Sequence, residues 1–524
     1  MKTLFYNGTV LTMTQPLEAE AVLVEDGIIR RVGTNAELME QAKDCTMVDL
    51  DGKTMLPGFI DPHSHLFQVA GALLQVSLNG AESSEEIGSR IDAFLRKNHP
   101  PKGQWIMARD YDNNLMPGLQ NPTLEQLDSY APGYPLVIHH KSGHMGLLNS
   151  EALRLAGITA QTPSPEGGRI EIRDGRLTGY LEENAFFNFL RSMPPVNGEA
   201  LMNAFTEAQK KYASYGITTV QDGMVTKEML PMYRALAARD KLWLDVMLYP
   251  DQATWEEAEA FVSALPTDRH LHIGGMKMFL DGSPQGRTAW MRSPYEGSTD
   301  YVGYGTMTDE AVEQTFELAA KRKVQLIAHC NGDAASEQFL RCLEQAQRKY
   351  PILKQLRPVI IHGQLLGLDQ LPRVRQLGAM VSFFVAHVYH WGDVHLRNFG
   401  KERASHISPA ASALREGVAF TFHQDAPVIE PDMLETLWCA TNRVTREGVV
   451  LGEEERISTL DALKAVTVHA AYQYGREDLI GAIAPGMRGD FVVLDGNPLE
   501  IPPQQLRSLH VEQTYKAGVC VFSR

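Results

Sequence analysis

Pro57-Gly58-Phe59-Ile60-Asp61-Pro62-His63-Ser64-His65 reads as a short apolar strand that ends in two histidines two positions apart. Side chains along an extended strand alternate between faces, so His63 and His65 project together from its end. Two converging imidazoles make a metal-ligating pair; the alternative is two unrelated surface histidines.

Similar apolar runs recur downstream, alternating with amphipathic helical stretches, which is the pattern of a parallel α/β fold. After Gly58–Asp61 come Thr218–Asp222, Leu244–Tyr249, Met276–Asp281, Val324–His329, Pro358–His362, Ala379–Phe384 and Ala419–His423. Most are spaced by about one ~31-residue barrel unit, so these strands predict an α/β fold, a (β/α)8 TIM-like barrel. The interval after strand 1 is the exception. Its excess, about residues 68–199, is a large insertion. Barrel sites lie at the C-terminal ends of the strands, so the insertion is expected to cap the active site.

Short strands with hairpin signals at Asn7-Gly8 and Asp26-Gly27 fill the first ~55 residues, and strands return near Asp490–Leu494 and Val511–Val521. Neither end closes a sandwich alone. The expected organisation is a small composite β-sandwich domain from residues 1–56 and 476–524, with the barrel over 57–475.

Two later strands also end in histidine, His329 and His362, about one barrel unit apart, so both face one cavity. Asp425 lies two units further on. A carboxylate there can ligate a metal and shuttle a proton, or it can cap a helix before Ala426-Pro427. Lys277 stands inside an apolar strand, where an unpaired ammonium is costly. It is either ion-paired with Asp281 or Asp222, or carboxylated by carbon dioxide to an anionic carbamate that can bridge two cations.

Together these residues resemble the amidohydrolase superfamily and, more narrowly, the YtcJ-like amidohydrolases, the group that includes N-substituted formamide deformylase. The narrower motifs are Ser142-Gly-His-Met-Gly-Leu-Leu-Asn-Ser150, Gly179-Tyr-Leu-Glu-Glu183, Gly216-Ile-Thr-Thr-Val-Gln-Asp222, Lys277-Met-Phe-Leu-Asp-Gly-Ser283, His387-Val-Tyr-His-Trp-Gly-Asp-Val-His395 and His423-Gln-Asp-Ala-Pro-Val428. The resemblance implies that His63 and His65 bind a first metal, that His329 and His362 bind a second, and that carboxylated Lys277 bridges them. It also implies that Asp425 binds the first metal and is the catalytic proton carrier. Two divalent ions are implied, zinc first, with manganese or iron suited to the same ligands. A metal-activated hydroxide would then hydrolyse an amide or N-formyl-type C–N bond of a small molecule. Two departures from the family pattern stand out. Gly486-Met-Arg-Gly-Asp-Phe491 lies in the β domain, away from the chemistry. His423-Gln424, before the aspartate, is expected to narrow or polarise the pocket.

Candidate substrate contacts are His144 in the insertion, Arg287 after the lysine strand, and His387, Trp391 and Asp393 in a cluster after the seventh strand, at the barrel mouth, where the alternative is a solvated loop. Two competing readings remain. One is a mononuclear D-aminoacylase-like hydrolase with a plain Lys277; the other is a catalytically silent metal-binding regulatory protein.

The 524 residues carry a net charge of −15 with no basic stripe, which disfavours nucleic acid as a partner. No apolar run of ~20 residues suggests a membrane span. Five scattered cysteines without a CxxC pair fit a reducing, cytoplasmic setting. Relatives of this kind are often homodimers, but no interface is legible.

Overall fold

The computed structural model describes residues 2–41, 43–140, 145–194, 197–266 and 270–524. Eight parallel barrel staves follow one another in chain order. They are β1 (Phe59–Ile60), β2 (Ile217–Val225), β3 (Asp245–Pro250), β4 (Leu271–Ile273, continued by Gly275–Phe279), β5 (Gln325–Cys330), β6 (Val359–His362), β7 (Met380–Phe383) and β8 (Phe420–Phe422). Each pairs in parallel with the next through two sheets that meet at β4. Just beyond β1 and β8, the His65 amide donates to the Ala426 carbonyl at 3.0 Å.

The apolar runs of the sequence become these staves because parallel strands are covered on both faces and so carry few polar residues. Ile60, Met247, Tyr249, Ile327, Val359, Ile361 and Met380, drawn from five staves, pack into one cluster with Ala470, Ala471 and Tyr474. β4 is interrupted at Gly274, where a Cβ would fall 2.3 Å from the Tyr249 ring. Helices fill the connections. Asp309–Arg322 is an example: the Thr308 hydroxyl accepts from the Ala311 amide, acids occupy its first turn and Lys321 and Arg322 its last, as capping and the helix dipole favour.

Strands from both ends of the chain build two further sheets. Thr54–Pro57 pairs antiparallel with Phe491–Leu494 and parallel with Thr9–Leu11. The other sheet contains Lys2–Tyr6, Ala21–Glu25, Ile28–Gly33 and Thr46–Asp49. The sheets share a core in which the Phe5 ring sits edge-on to Phe491 and Tyr515, at 5.3 and 4.9 Å.

A buried ionic clasp ties this β sandwich to the base of the barrel. Asp245, the first residue of β3 and only 1% exposed, meets Lys516 Nζ at 3.1 Å, His270 Nδ1 at 2.8 Å and the Arg488 guanidinium. Asp490 shares Lys516 at 2.8 Å. Arg488 and Asp490 therefore give the Gly486–Phe491 motif a role at the barrel floor.

Residues Ala70–Ala204 form a second compact unit. Its six-stranded mixed sheet runs in the order Gly168–Arg173, Arg176–Glu183, Met145–Leu148, Leu136–His140, Ile106–Tyr111, Gln75–Ser77. Helices Ser84–Asn98 and Leu124–Tyr130 help close its core around Ile87, Ile91, Leu127 and Tyr130. Among the described residues no helix is long and apolar enough to cross a membrane.

Candidate active site

His63 and His65 lie just past β1, with ring centroids 5.1 Å apart. The His65 Nδ1 is 2.7 Å from the Gly223 carbonyl, which only accepts, so Nδ1 carries the proton and Nε2 is bare. His63 is set the same way by Gln221. The Gln221 amide donates to the Pro62 carbonyl at 2.8 Å, which leaves its Oε1 to accept from His63 Nδ1. Both bare Nε2 atoms then face Asp425 Oδ1, at 3.4 Å from His63 and 3.1 Å from His65. That oxygen is buried and takes no hydrogen bond.

Three acceptors thus meet at Asp425 Oδ1 with no donor to that oxygen unless an imidazole takes a second proton; Lys277 Nζ reaches His63 Nε2 alone. A divalent cation satisfies all three, and the donor set of two imidazoles and a carboxylate suits zinc, manganese or iron. Burial alone would raise the Asp425 carboxyl. Contact with the His65 imidazole, with those of His362 and His63 close by, instead holds it well below the usual carboxylate range.

Lys277 projects from β4 into the same cluster, 2% exposed, with Nζ 3.2 Å from His63 Nε2. Neither proposed ion pair forms. Asp222 accepts from the Tyr233 hydroxyl and the Phe67 amide. Asp281 accepts from the amides of Trp290, Asn331 and Gly332 at 2.7–3.0 Å, which pins the loops after β4 and β5. Burial pushes the Lys277 amine down to about 7, against the opposing pull of Asp425.

His329 is the last residue but one of β5 and His362 ends β6, with His362 Nε2 3.0 Å from His329 Nδ1. Burial pushes His329 down to about 4, so its ring is neutral. His362 and Asp425 both adopt left-handed backbone, φ 72° and 55°. Non-glycine residues pay roughly 1–3 kcal/mol for that conformation, and such strain gathers at functional sites. His65, Asp425 and His329 keep side-chain exposures of 12%, 14% and 15%, whereas His63 and His362 keep 1% and 4%. Solvent therefore reaches the cluster from the side of the first three. A cavity of about 310 Å³ adjoins Lys277, with Met224, Phe279 and Met307 as apolar walls and Asp251 and Gln252 as polar ones.

Asp425 caps no helix; it begins a turn. The cluster after β7 lies on the helix His387–Ser405, which rules out the alternative of a solvated loop. Its His387 is buried, with Nδ1 3.1 Å from His395 Nε2 and its ring 4.5 Å from both Phe384 and Trp391. Asp393 is held by the Thr445 hydroxyl at 2.6 Å and the Glu447 amide at 3.3 Å. Arg287 donates to the Glu296 carbonyl at 3.0 Å and lies over the Tyr295 ring. His144 falls outside the described residues.

His423 and Gln424, expected at the pocket, are both fully buried. Gln424 donates to Thr436 Oγ1 at 2.6 Å, and His423 stands behind His362. Sequence reading passed over Gln221, Gly223 and Ser382, whose only trace is their position near strand ends.

Comparison with known proteins agrees with this geometry. The amidohydrolase family model matches residues 46–522. The chain is 28% identical to the putative amidohydrolase YtcJ of Bacillus subtilis over the full length of both. It is 30% identical to N-substituted formamide deformylase of Arthrobacter pascens over 97% of this chain and 95% of that one. A crystal structure of an uncharacterized metal-dependent hydrolase from Pyrococcus horikoshii superposes with a TM-score of 0.80 at 24% identity, covering 96% of this chain and 99% of that one. With the barrel, the histidines and aspartate gathered at its strand ends and a match that spans most of its length, the chain belongs to the amidohydrolase family, hydrolases that act on carbon–nitrogen bonds.

Proposed function

We propose that this protein hydrolyses an amide or N-formyl-type C–N bond of a small molecule, with two divalent ions, zinc by preference, and a carbon dioxide-derived carbamate on Lys277. The observation that carries the reading is the meeting of the bare Nε2 atoms of His63 and His65 with the unpartnered Asp425 Oδ1. His63, His65 and Asp425 would hold the first ion and His329 and His362 the second, and a carboxylated Lys277 would add an anionic ligand between them. The similarity to a formamide deformylase favours N-formyl amines as the first substrates to try.

Bound divalent cations supply Lewis acidity to the substrate carbonyl and acidity to the attacking water. Asp425 accepts the water's proton on its carboxylate as the oxygen bonds to carbon, and delivers it to the nitrogen as the C–N bond breaks. Gln221 and the Gly223 carbonyl keep His63 and His65 turned with Nε2 inward. The cavity beside Lys277 takes the apolar part of the substrate, since Met224 and Met307 are adaptable and Phe279 is flat. Five free cysteines suit a cytoplasmic setting.

Among the described residues, the grouping of His63, His65 and Asp425 alone within ligand distance favours a second, mononuclear reading, in which unmodified Lys277 donates to His63. The deciding test is metal content together with turnover of N-formyl amines and N-acyl amides by zinc- and manganese-loaded protein. Turnover that chelation abolishes supports a metal hydrolase, and about two or about one equivalents per chain separates the two forms. Protein that takes up no metal overturns both.

A further inference from the structure

Behind the histidine that ends β6 runs a buried chain of three side chains. His362 Nδ1 lies 3.0 Å from His423 Nε2, and His423 Nδ1 lies 2.8 Å from Ser382 Oγ. Ser382 and His423 are fully buried and His362 is 3% exposed. The three residues come from β6, β7 and the end of β8, so adjacent staves hold them in register.

Each imidazole in the chain can carry one proton while neutral, so the hydrogen bonds run one way or the other. In one direction His423 donates to His362 Nδ1, and His362 Nε2 bears the proton facing His329. In the other, His362 donates from Nδ1 to His423, His423 donates from Nδ1 to Ser382, and His362 Nε2 is bare. Only the second direction lets His362 ligate a cation through Nε2. The serine hydroxyl makes both directions available, because it can donate or accept. A carboxylate in its place would only accept, and an aliphatic side chain would do neither.

We propose that His423 is a positioning residue: by accepting the Nδ1 proton of His362, with Ser382 accepting in turn from His423, it holds His362 in the tautomer whose Nε2 is free for a metal ion. This rests on the reading of His329 and His362 as ligands of the second ion. It gives the pair His423 and Ser382 the part that hydrogen-bonded partners of ligating histidines play elsewhere, where removal weakens metal binding about 10–100-fold. It differs from the usual case in ending on a neutral, reversible hydroxyl.

The test is a chelator competition for zinc on the full-length protein, comparing wild type with His423→Gln, His423→Leu and Ser382→Ala. Metal-free melting temperatures are measured alongside. Gln keeps an oxygen that can accept from His362; Leu fills similar space and accepts nothing. The second equivalent is expected to bind about 10–100-fold more weakly in His423→Leu, less so in Ser382→Ala, and close to wild type in His423→Gln. Equal zinc affinity in wild type, His423→Leu and Ser382→Ala overturns the proposal. So does a loss in His423→Gln as large as in His423→Leu, tracking an equal drop in melting temperature, since packing alone would explain it. If His423→Leu does not fold, nitrogen-15 NMR of zinc-loaded wild type decides, with a proton on Nδ1 of both His362 and His423 expected and a proton on His423 Nε2 overturning. Wild type that binds only one equivalent instead removes the two-metal reading and this inference with it, an outcome distinct from two equivalents that the variants leave unchanged.

Discussion

Lys277 Nζ lies 3.2 Å from His63 Nε2, and no carboxylate among the described residues comes within ion-pair distance of it. A buried lysine that meets an imidazole instead of an acid, in a site with a cavity at its side, is placed for chemistry on its nitrogen. Replacing it by methionine keeps the bulk and removes the amine. Native mass spectrometry of metal-loaded wild type should show the added mass of one carbon dioxide, absent from Lys277→Met, and metal content should fall from about two equivalents to about one. Equal metal content in both proteins would remove the bridging role.

Asp425 combines bare contact with two imidazoles and left-handed backbone. Asp425→Asn keeps the shape and one acceptor but cannot carry the proton. Turnover should drop by about 10²–10⁴-fold while much of the metal stays bound. Near wild-type kcat in that variant would move the proton to another group.

The clasp at the barrel floor should shape acid stability. Burial would raise the Asp245 carboxyl, but Lys516, His270, His272 and Arg488 hold it well below its ordinary value. A depressed folded pKa means that its contribution is full above the unfolded value of ~3.9 and is lost as pH falls through the folded pKa. Asp245→Asn leaves buried cations short of a partner and should lower stability by roughly 3–5 kcal/mol at pH 7. Its melting temperature should also fall less steeply than wild type on acidification. Coincident melting curves at pH 7 would show the clasp to be energetically idle.

Gly275 faces the paired strand so closely that a Cβ would sit 2.2 Å from the Gln325 carbonyl oxygen. Backbone cannot swing aside as a side chain can. Gly275→Ala should cost about 1–3 kcal/mol, read as a lower melting temperature. Gly198→Ala, with nothing within 4 Å of its new methyl, is the control that should not destabilise. A Gly275→Ala protein as stable as the control would mean that β4 can shift.

The staves were legible because buried parallel strands read as unbroken apolar runs, and His329 and His362 revealed their register by standing at or beside the ends of two of them. The positions of Gln221, Ser382 and His423 relative to His63 and His362 were not. Gln221 reaches a histidine 158 residues away, and His423 reaches partners 61 and 41 residues away, distances over which local pattern carries nothing. The helix His387–Ser405 was not legible as a helix because its histidines, tryptophan and aspartate interrupt any apolar stripe. The sheet of Ala70–Ala204 mixes parallel and antiparallel pairs, so its order could not follow from strand spacing.

Thr54–Pro57 lies beside Phe491–Leu494 in one sheet, although most of the chain is made between them. At ribosomal speeds of about 5–20 residues per second, that gap is roughly 20–90 seconds of synthesis. Throughout it the early strand emerges with one hydrogen-bonding edge bare and with Met55 and Leu56 lacking their cover, the kind of edge that invites a wrong neighbour. The sandwich is thus finished only after the barrel has been translated, and a nascent chain stalled before residue 491 would leave the ribosome with its first sheet still open.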